Sequence, residues 1–329
     1  TRVFDTFLAE SVLTTGMDKP AGYRGLDGCL RRYCKVQLQK EIRGLIHKER
    51  YSTRVIQYSA ADVQYLHKLK ESQELALDNN DLSSCASLEN KFVVALAYIE
   101  YCGIHLDTTA WSVKMQEDKR KQAMKAEELS NWVIENYPSS KFIDNQLSLF
   151  EEGTKCSINW NSDKQVLELF KLIGIDTWDA KAGKHSVDMK LISKQVDKFE
   201  ILKTYIEYSK TTKLVSSFGQ TILDSVNKNT NRIHTTFRQI KDTGRMSCGN
   251  RRTNSPNLQQ IPSDDRHRSC FTAEPGNKII VCDYASQESR ILADISNEPN
   301  LVKFYTSGGA DLHSYAAQVV YEELATVTL

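Results

Sequence analysis

The chain has 329 residues, 40% of them apolar and 26% charged, with a formal net charge of +1, which reads as a soluble globular protein of two or three domains. No apolar run reaches the roughly 18 residues of a membrane span, and the eight cysteines form no C-x-x-C pair, against a zinc or redox site and for reduced thiols in an intracellular protein. The charge is unevenly spread: residues 231–270 hold eight Arg or Lys against three Asp, a local +5 that leaves −4 for the rest, which fits a phosphate-tracking surface or a solvated basic loop.

Residues 1–74 show a short helical pattern broken by Gly16, Gly22, Gly25 and Gly28. Residues 75–85, rich in Asn, Asp and Ser, predict a connection. Phe92, Leu96 and Ile99 then line one face of a helix over 88–101, which Cys102-Gly103 stops. Ile104-His105-Leu106 leads into Asp107, the expected N-cap of a long charged helix over 110–135 that ends before Pro138. A second long helical region covers 186–227, with Leu191, Val196, Phe199, Leu202, Tyr205 and Ile206 apolar; such helices more often pack in pairs than do chemistry. From Arg232 the texture turns to strands and loops. A β-branched strand over 279–281 runs towards Asp283, and a polar turn then opens a helix carrying Glu288 and Arg290.

A carboxylate at the end of a strand sits at the rim of a sheet, where it can meet a metal ion. Mg²⁺ takes carboxylate and carbonyl oxygens, and two ions about 4 Å apart clamp the attacking and leaving oxygens of phosphoryl transfer. Asp283 and the backbone carbonyl of Tyr284 suit one side of such a pair; the plainer reading is that Asp283 caps the following helix. Upstream stand Thr243-Gly-Arg-Met-Ser-Cys248 and Asn254-Ser-Pro-Asn-Leu-Gln-Gln-Ile-Pro262. The minor groove presents acceptors that barely distinguish base pairs, so Arg245, Asn257 and Gln259 are donors suited to gripping DNA of any sequence. Gly244 is expected to allow close backbone approach. The plainer reading of either half is a polar Gly/Pro loop.

Motif for motif, this C-terminal half resembles the family A (Pol I-like) DNA polymerases, phage-like or bacterial. Asp283-Tyr-Ala-Ser-Gln-Glu-Ser-Arg290 is similar to their motif A, D-Y-S-x-x-E-x-R, with Ala285 in place of Ser and Ser286 one place later. The two upstream segments resemble T-G-R-L-S and P-N-L-Q-N-I-P, with Gln260 for the last Asn; Arg268-Ser-Cys-Phe271 resembles R-x-x-F, and Asp311-Leu-His313 resembles D-I-H. The resemblance makes Asp283 a catalytic metal ligand beside the Tyr284 carbonyl and Glu288 the residue that blocks the ribose 2′-OH. It makes Arg290 a support through ion pairing, and His313 a contact to the incoming nucleotide's phosphates. Nearer the start, Phe4-Asp-Thr-Phe-Leu-Ala-Glu-Ser-Val-Leu13 resembles F-D-T-M-L-E-S-Y-x-L, and Leu38-Gln-Lys-Glu-Ile-Arg43 is similar to a stretch of ribonuclease D-like nucleases. Tyr58-Ser-Ala-Ala-Asp62 resembles the Y-x-x-x-D of DEDD-type 3′–5′ exonucleases, with Asp62 a metal ligand and Tyr58 orienting water. The other three acidic ligands of that family would precede this chain, so Asp5 is expected to be structural. Glu100-Tyr-Cys-Gly-Ile-His-Leu-Asp107 resembles E-x-x-G-x-x-x-D, and Ile158-Asn-Trp-Asn-Ser-Asp-Lys-Gln165 resembles the N-x-N-S-P-K-Q turn with Asp163 for Pro.

What the resemblance implies is a mixed α+β fold in three parts. Residues 1–75 are the C-terminal part of a ribonuclease H-like 3′–5′ exonuclease domain, 88–230 a mostly helical thumb, and 231–329 the start of a right-hand palm with motif A. The implied activity is DNA-directed DNA polymerase, adding deoxynucleotides to a primer 3′-OH in replication or repair with two Mg²⁺ ions. The implied partners are primer–template DNA and deoxynucleoside triphosphates, with replication accessory proteins as further candidates; the implied setting is cytoplasmic, without a membrane. The sequence starts without Met and contains neither K-x-x-N-F-x-x-x-Y-G nor H-D-E, so the expectation is an internal fragment that is inactive alone. Two alternatives remain: a non-catalytic DNA-binding protein that kept the scaffold, and a stand-alone 3′–5′ exonuclease.

Overall fold

Asp5 opens the first helix, Thr6–Thr14, by accepting the N–H groups of Phe7 and Leu8 at 2.8 and 3.1 Å, the structural role expected of it. A computed structural model describes residues 3–38, 40–49, 51–144, 154–250, 253, 255–308 and 311–321. They form two compact units, Thr1–Thr272 and Ala273–Leu329. Among the described residues before Gly103 there are helices and no strand. The Glu10 carboxylate is buried, and Arg32 Nη2 and Gln73 Nε2 donate to it at 2.6 and 3.2 Å, ties that a desolvated charge requires. Arg32 also lies 3.6 Å from the centroid of the Tyr23 ring. Burial, reinforced by the Glu10 charge, pushes the nearby Cys29 thiol up to about 11.

The connection expected over 75–85 shrinks to residues 79–82, because the helices Leu66–Asp78 and Ser83–Cys102 claim the rest. Leu77 and Ala86 are buried against Ala9, and that packing outweighs the turn preference of the polar residues around them. On Ser83–Cys102, Leu96 is buried as expected, whereas Ile99 is 48% exposed. Past Gly103, Ile104–His105, Arg232–Ile233 and Val226–Asn227 make a three-stranded antiparallel sheet with Arg232–Ile233 in the centre.

Asp107 is the N-cap, accepting from Thr109 and Ala110 N–H at 3.0 and 2.9 Å, and starts a helix over Thr108–Asn136. Its partner is Ile201–Phe218. Trp111 Nε1 donates to Gly219 O, Gln122 Nε2 to Thr212 Oγ1, and Lys125 pairs with Glu207, so numbers rise on one helix as they fall on the other and the pair is antiparallel. Leu129, Val133, Leu202, Tyr205 and Tyr208 fill the core between them, with Phe170 from the helix Asp163–Ile173. Fully burying each of these large side chains stabilises by about 1.5–3 kcal/mol. Asp163 stands at the first position of its helix, where a carboxylate favours the dipole.

The continuous helical region expected over 186–227 is instead Met189–Ile192, Ser193–Gln195, Ile201–Phe218 and Gln220–Asp224 followed by a strand. Gln195 exchanges side-chain hydrogen bonds with the Asp176 backbone at 3.0 and 2.7 Å, holding a turn there, and Gly219 at φ −85°, ψ −121° breaks the second helix. Downstream, Phe237–Arg238 pairs antiparallel with Ser247–Cys248, and a short 3₁₀ turn spans Leu258–Gln260.

In the second unit, the helices Gln287–Ser296, Pro299–Thr306 and Leu312–Val320 follow one another. The strand expected over 279–281 is not formed: no described residue pairs with it, and Ile280 and Val281 are 85% and 86% exposed. β-branched residues favour an extended chain, but a strand needs a neighbour to bond and an apolar face to bury. Among the described residues no helix is long and apolar enough to cross a membrane.

Candidate functional site

The turn that carries Arg245 closes on itself, Lys241 N–H donating to Arg245 O at 3.0 Å and Gly244 N–H to Lys241 O at 2.9 Å. Gly244 sits at φ +76°, and a Cβ there would meet only Thr15 Cγ2 at 3.8 Å. The turn conformation by itself therefore calls for glycine at this position. Arg245 is exposed. The turn is moored to the N-terminal helices in a way the sequence did not signal. Gly16 N–H donates to Asp242 O at 2.9 Å, and Arg24 Nη1 donates to Asp242 Oδ1 at 2.8 Å. Arg24 is held in turn by the Thr14 hydroxyl and carbonyl at 2.7 and 2.9 Å.

Asn257 and Gln259 lie together on the loop after this hairpin. Asn257 caps Leu258–Gln260, its Oδ1 accepting from Gln259 N–H at 3.1 Å, and Gln259 Oε1 accepts from Cys248 N–H at 3.1 Å. Both amide oxygens are thus turned to protein donors, while neither NH₂ group bonds a described residue. Asn257 is half-buried and Gln259 exposed, so the free groups of this pair are hydrogen-bond donors. Arg251, Arg252 and Asn254 of this segment lie outside the described residues, as does Gln39 of the Leu38–Arg43 stretch.

Beneath the following segment is a buried charged cluster that sequence reading missed. His267, 2% exposed, has Nδ1 2.7 Å from Asp264 Oδ2 and Nε2 3.3 Å from Asp118 Oδ2, and Lys114 pairs with Asp118. The Trp111 ring packs edge-on against it at 5.6 Å. Burial alone raises the Asp264 pKa, but hydrogen bonds from the His267 backbone and ring outweigh it and hold the carboxyl below its usual range. The i,i+4 spacing of Lys114 and Asp118 and the i,i+3 spacing of Asp264 and His267 were visible; their meeting was not.

In the second unit, Asp283 is exposed and its carboxylate takes no hydrogen bond from a described residue. It does not cap the next helix: Ser286 occupies that position at φ 53°, ψ 37°, without a side-chain capping bond. Glu288 lies in the first turn and is exposed. Arg290 Nε donates to Ala285 O at 2.9 Å, and its guanidinium lies 4.5 Å from the centroid of the Tyr305 ring, so it braces the turn through backbone and aromatic contacts. Phe304 packs on Tyr315 at 4.8 Å, joining Pro299–Thr306 to the helix that carries His313. Asp311 caps that helix by accepting from His313 and Ser314 N–H at 3.0 and 3.3 Å; bonds from Ser314 above all lower its pKa.

Asp283 and the Tyr284 carbonyl offer the hard oxygens that Mg²⁺ prefers. Among the described residues, however, no group of three or more His, Cys, Asp or Glu is placed to hold a metal ion. Neither Asp283 nor Asp62 therefore belongs to such a group among the described residues. Tyr58 and Asp62 share the helix Thr53–Gln64, both half-buried; Tyr58 lines a cavity of about 580 Å³ with Arg54 and Leu38, and Asp62 is not among its walls.

Comparison with known proteins bears on what these residues serve. The sequence pattern of DNA polymerase family A matches residues 140–328. DNA polymerase I of Chloroflexus aurantiacus is 33% identical over 174 residues, 50% of this chain and 18% of that protein. DNA polymerase I of Bacillus subtilis is 27% identical over 264 residues, 78% of this chain and 27% of that protein. In three dimensions the chain is similar to the POL domain of Pol1 from M. smegmatis, solved in complex with DNA primer-template and dNTP. The TM-score is 0.73 at 24% identity, over 98% of this chain and 51% of that one. The chain thus spans about half the length of the solved polymerase it resembles, and 18–27% of these two curated relatives.

Proposed function

We propose, on the premise that this chain belongs to DNA polymerase family A, that it serves the template-directed addition of deoxynucleotides to a primer 3′-OH. The chain supplies the grip on duplex DNA and one carboxylate of the metal site. The observation that carries this reading is the Asn257/Gln259 pair, two amides whose oxygens are engaged by protein donors and whose NH₂ groups stay free, inside the segment that matches the family. Donors are what the acceptors of the minor groove require, and they suit any base pair. Arg245, exposed in the turn that precedes them, adds charge in a segment whose local charge is +5.

In this reading 231–329 is the start of the palm, 88–230 the thumb, and 1–75 the helical remainder of a 3′–5′ exonuclease domain, to which Tyr58 and Asp62 belong. Asp283 and the Tyr284 carbonyl would hold one side of a two-Mg²⁺ site, where the ions neutralise charge developing on the transferred phosphoryl group. Glu288 excludes a ribose 2′-OH by occupying its space, Arg290 holds the preceding turn, and His313 meets the phosphates of the incoming nucleotide. Primer–template DNA and deoxynucleoside triphosphates are the proposed ligands.

The test is fluorescence anisotropy of this chain with a labelled primer–template across a salt series, together with primer extension in Mg²⁺ and the four deoxynucleotides. Binding should weaken steeply with salt, and Asn257→Ala combined with Gln259→Ala should weaken it about tenfold. Absence of duplex binding at low salt overturns the grip. No extension is expected from this chain alone; extension that Asp283→Ala abolishes would overturn that expectation.

A further inference from the structure

We infer that Cys248 is a positioning residue for the duplex grip: it holds the Asn257 and Gln259 amides oxygen-inward, so that both present donors to DNA. The inference rests on the reading of these two residues as minor-groove contacts. Cys248 is 5% exposed and touches both partners. Its Sγ–H donates to Asn257 Oδ1 at 3.2 Å, its backbone N–H donates to Gln259 Oε1 at 3.1 Å, and its sulfur accepts from Gln259 N–H at 3.3 Å. The loop is locked around this centre. Asn250 and Ser255 exchange two backbone hydrogen bonds of 2.9 Å, and Thr235 Oγ1 donates to Pro256 O at 2.6 Å. Gly249, at φ +90°, lets the next backbone come close: a Cβ there would lie 2.9 Å from Asn257 N.

The physical point is the sign of the amide. A carboxamide has nearly the same shape when its oxygen and nitrogen are exchanged, so only its hydrogen-bond partners decide which end faces out. At both side chains a backbone N–H selects oxygen inward, Gln259 N–H at Asn257 and Cys248 N–H at Gln259, and the Cys248 thiol adds a second donor at the Asn257 oxygen. Turned the other way, each side chain would present an oxygen to minor-groove acceptors, and attraction would become repulsion. Cys248 therefore acts on DNA without touching it.

The test compares Cys248→Ser, which keeps a donor, with Cys248→Val, which keeps bulk and removes it. Each ¹⁵N-labelled, deuterated chain is examined for the side-chain NH₂ signals of Asn257 and Gln259, for primer–template Kd by anisotropy, and for its thermal midpoint. Cys248→Val should broaden or shift the Asn257 signal and raise Kd about fivefold, whereas Cys248→Ser should stay within about twofold of the parent chain. Equal thermal midpoints for the two variants make the rescue a matter of hydrogen bonding and support the inference. Unchanged amide signals, or a Kd equally poor in both variants, overturn it. If the parent chain does not bind duplex, the functional reading falls instead, and the amide signals still decide whether Cys248 sets the two side chains.

Discussion

The loop around Asn257 and the segment around Asp283 carry the two halves of the proposed chemistry, and they are held in opposite ways. The first is fastened from within its own stretch of chain: Cys248, Gln259 and Asn257 bond one another over distances of 3.1–3.3 Å. Beyond that stretch, Thr235 and the buried Ile233 anchor it to the central sheet. The second has an exposed carboxylate after an exposed, unpaired apolar run. A hydrogen-bonding device can be complete within about a dozen residues, whereas a carboxylate on a strand depends on neighbouring strands for its position.

The contrast can be broken most directly through stability. Ile233→Ala, at the fully buried centre of the sheet, should cost about 3 kcal/mol in urea unfolding. Ile280→Ser should change it by no more than about 0.5 kcal/mol. Equal losses would mean that the Asp283 segment is packed after all. A smaller effect sharpens the same comparison from the other side of the hairpin. Arg24→Ala removes the charged bond to Asp242 and both bonds to Thr14, and should cost about 1 kcal/mol, discounted because Asp242 is 73% exposed. Its signature is a raised primer–template Kd with the Asn257 amide signals unmoved; if those signals shift as well, the mooring and the amide lock are one device.

The smallest effect expected is on pH dependence. Because the Asp264 pKa is lowered on folding, its contribution is present above the usual carboxylate range and is lost as pH falls through the lowered value. Asp264→Asn should therefore flatten the acid limb of the stability profile below about pH 4. An acid limb identical in both chains would remove His267 and Asp264 from the account of what supports this loop.

Much of the fold was legible where the signal was local. Asp5 and Asp107 cap helices as short-range pattern implies, and Gly103 ends the helix before it. The two long helices pair, although the second is shorter than its apolar spacing suggested, because the Gln195 bonds to Asp176 and the break at Gly219 are not written in periodicity. Ile279-Ile-Val281 misled for a related reason: β propensity describes a surface waiting for neighbours, and none of the described residues supplies one. At the candidate site, the identities of Arg245, Asn257, Gln259, Asp283 and Glu288 could be read from motif spacing. The clamp of Arg24 on Asp242 could not, because its partners are 218 residues apart.

The sequence by itself determined the family, through side chains whose chemistry and spacing are local: amide donors on one loop and an Asp five residues before a Glu. Only the tertiary structure decided which end of each amide faces outward, since that depends on the backbone N–H groups and the thiol brought against it in the folded loop. It also decided that Asp283 stands exposed and apart from any three-ligand set among the described residues. Hydrogen-bond direction and metal coordination both require several groups to converge, and convergence is a property of the folded chain.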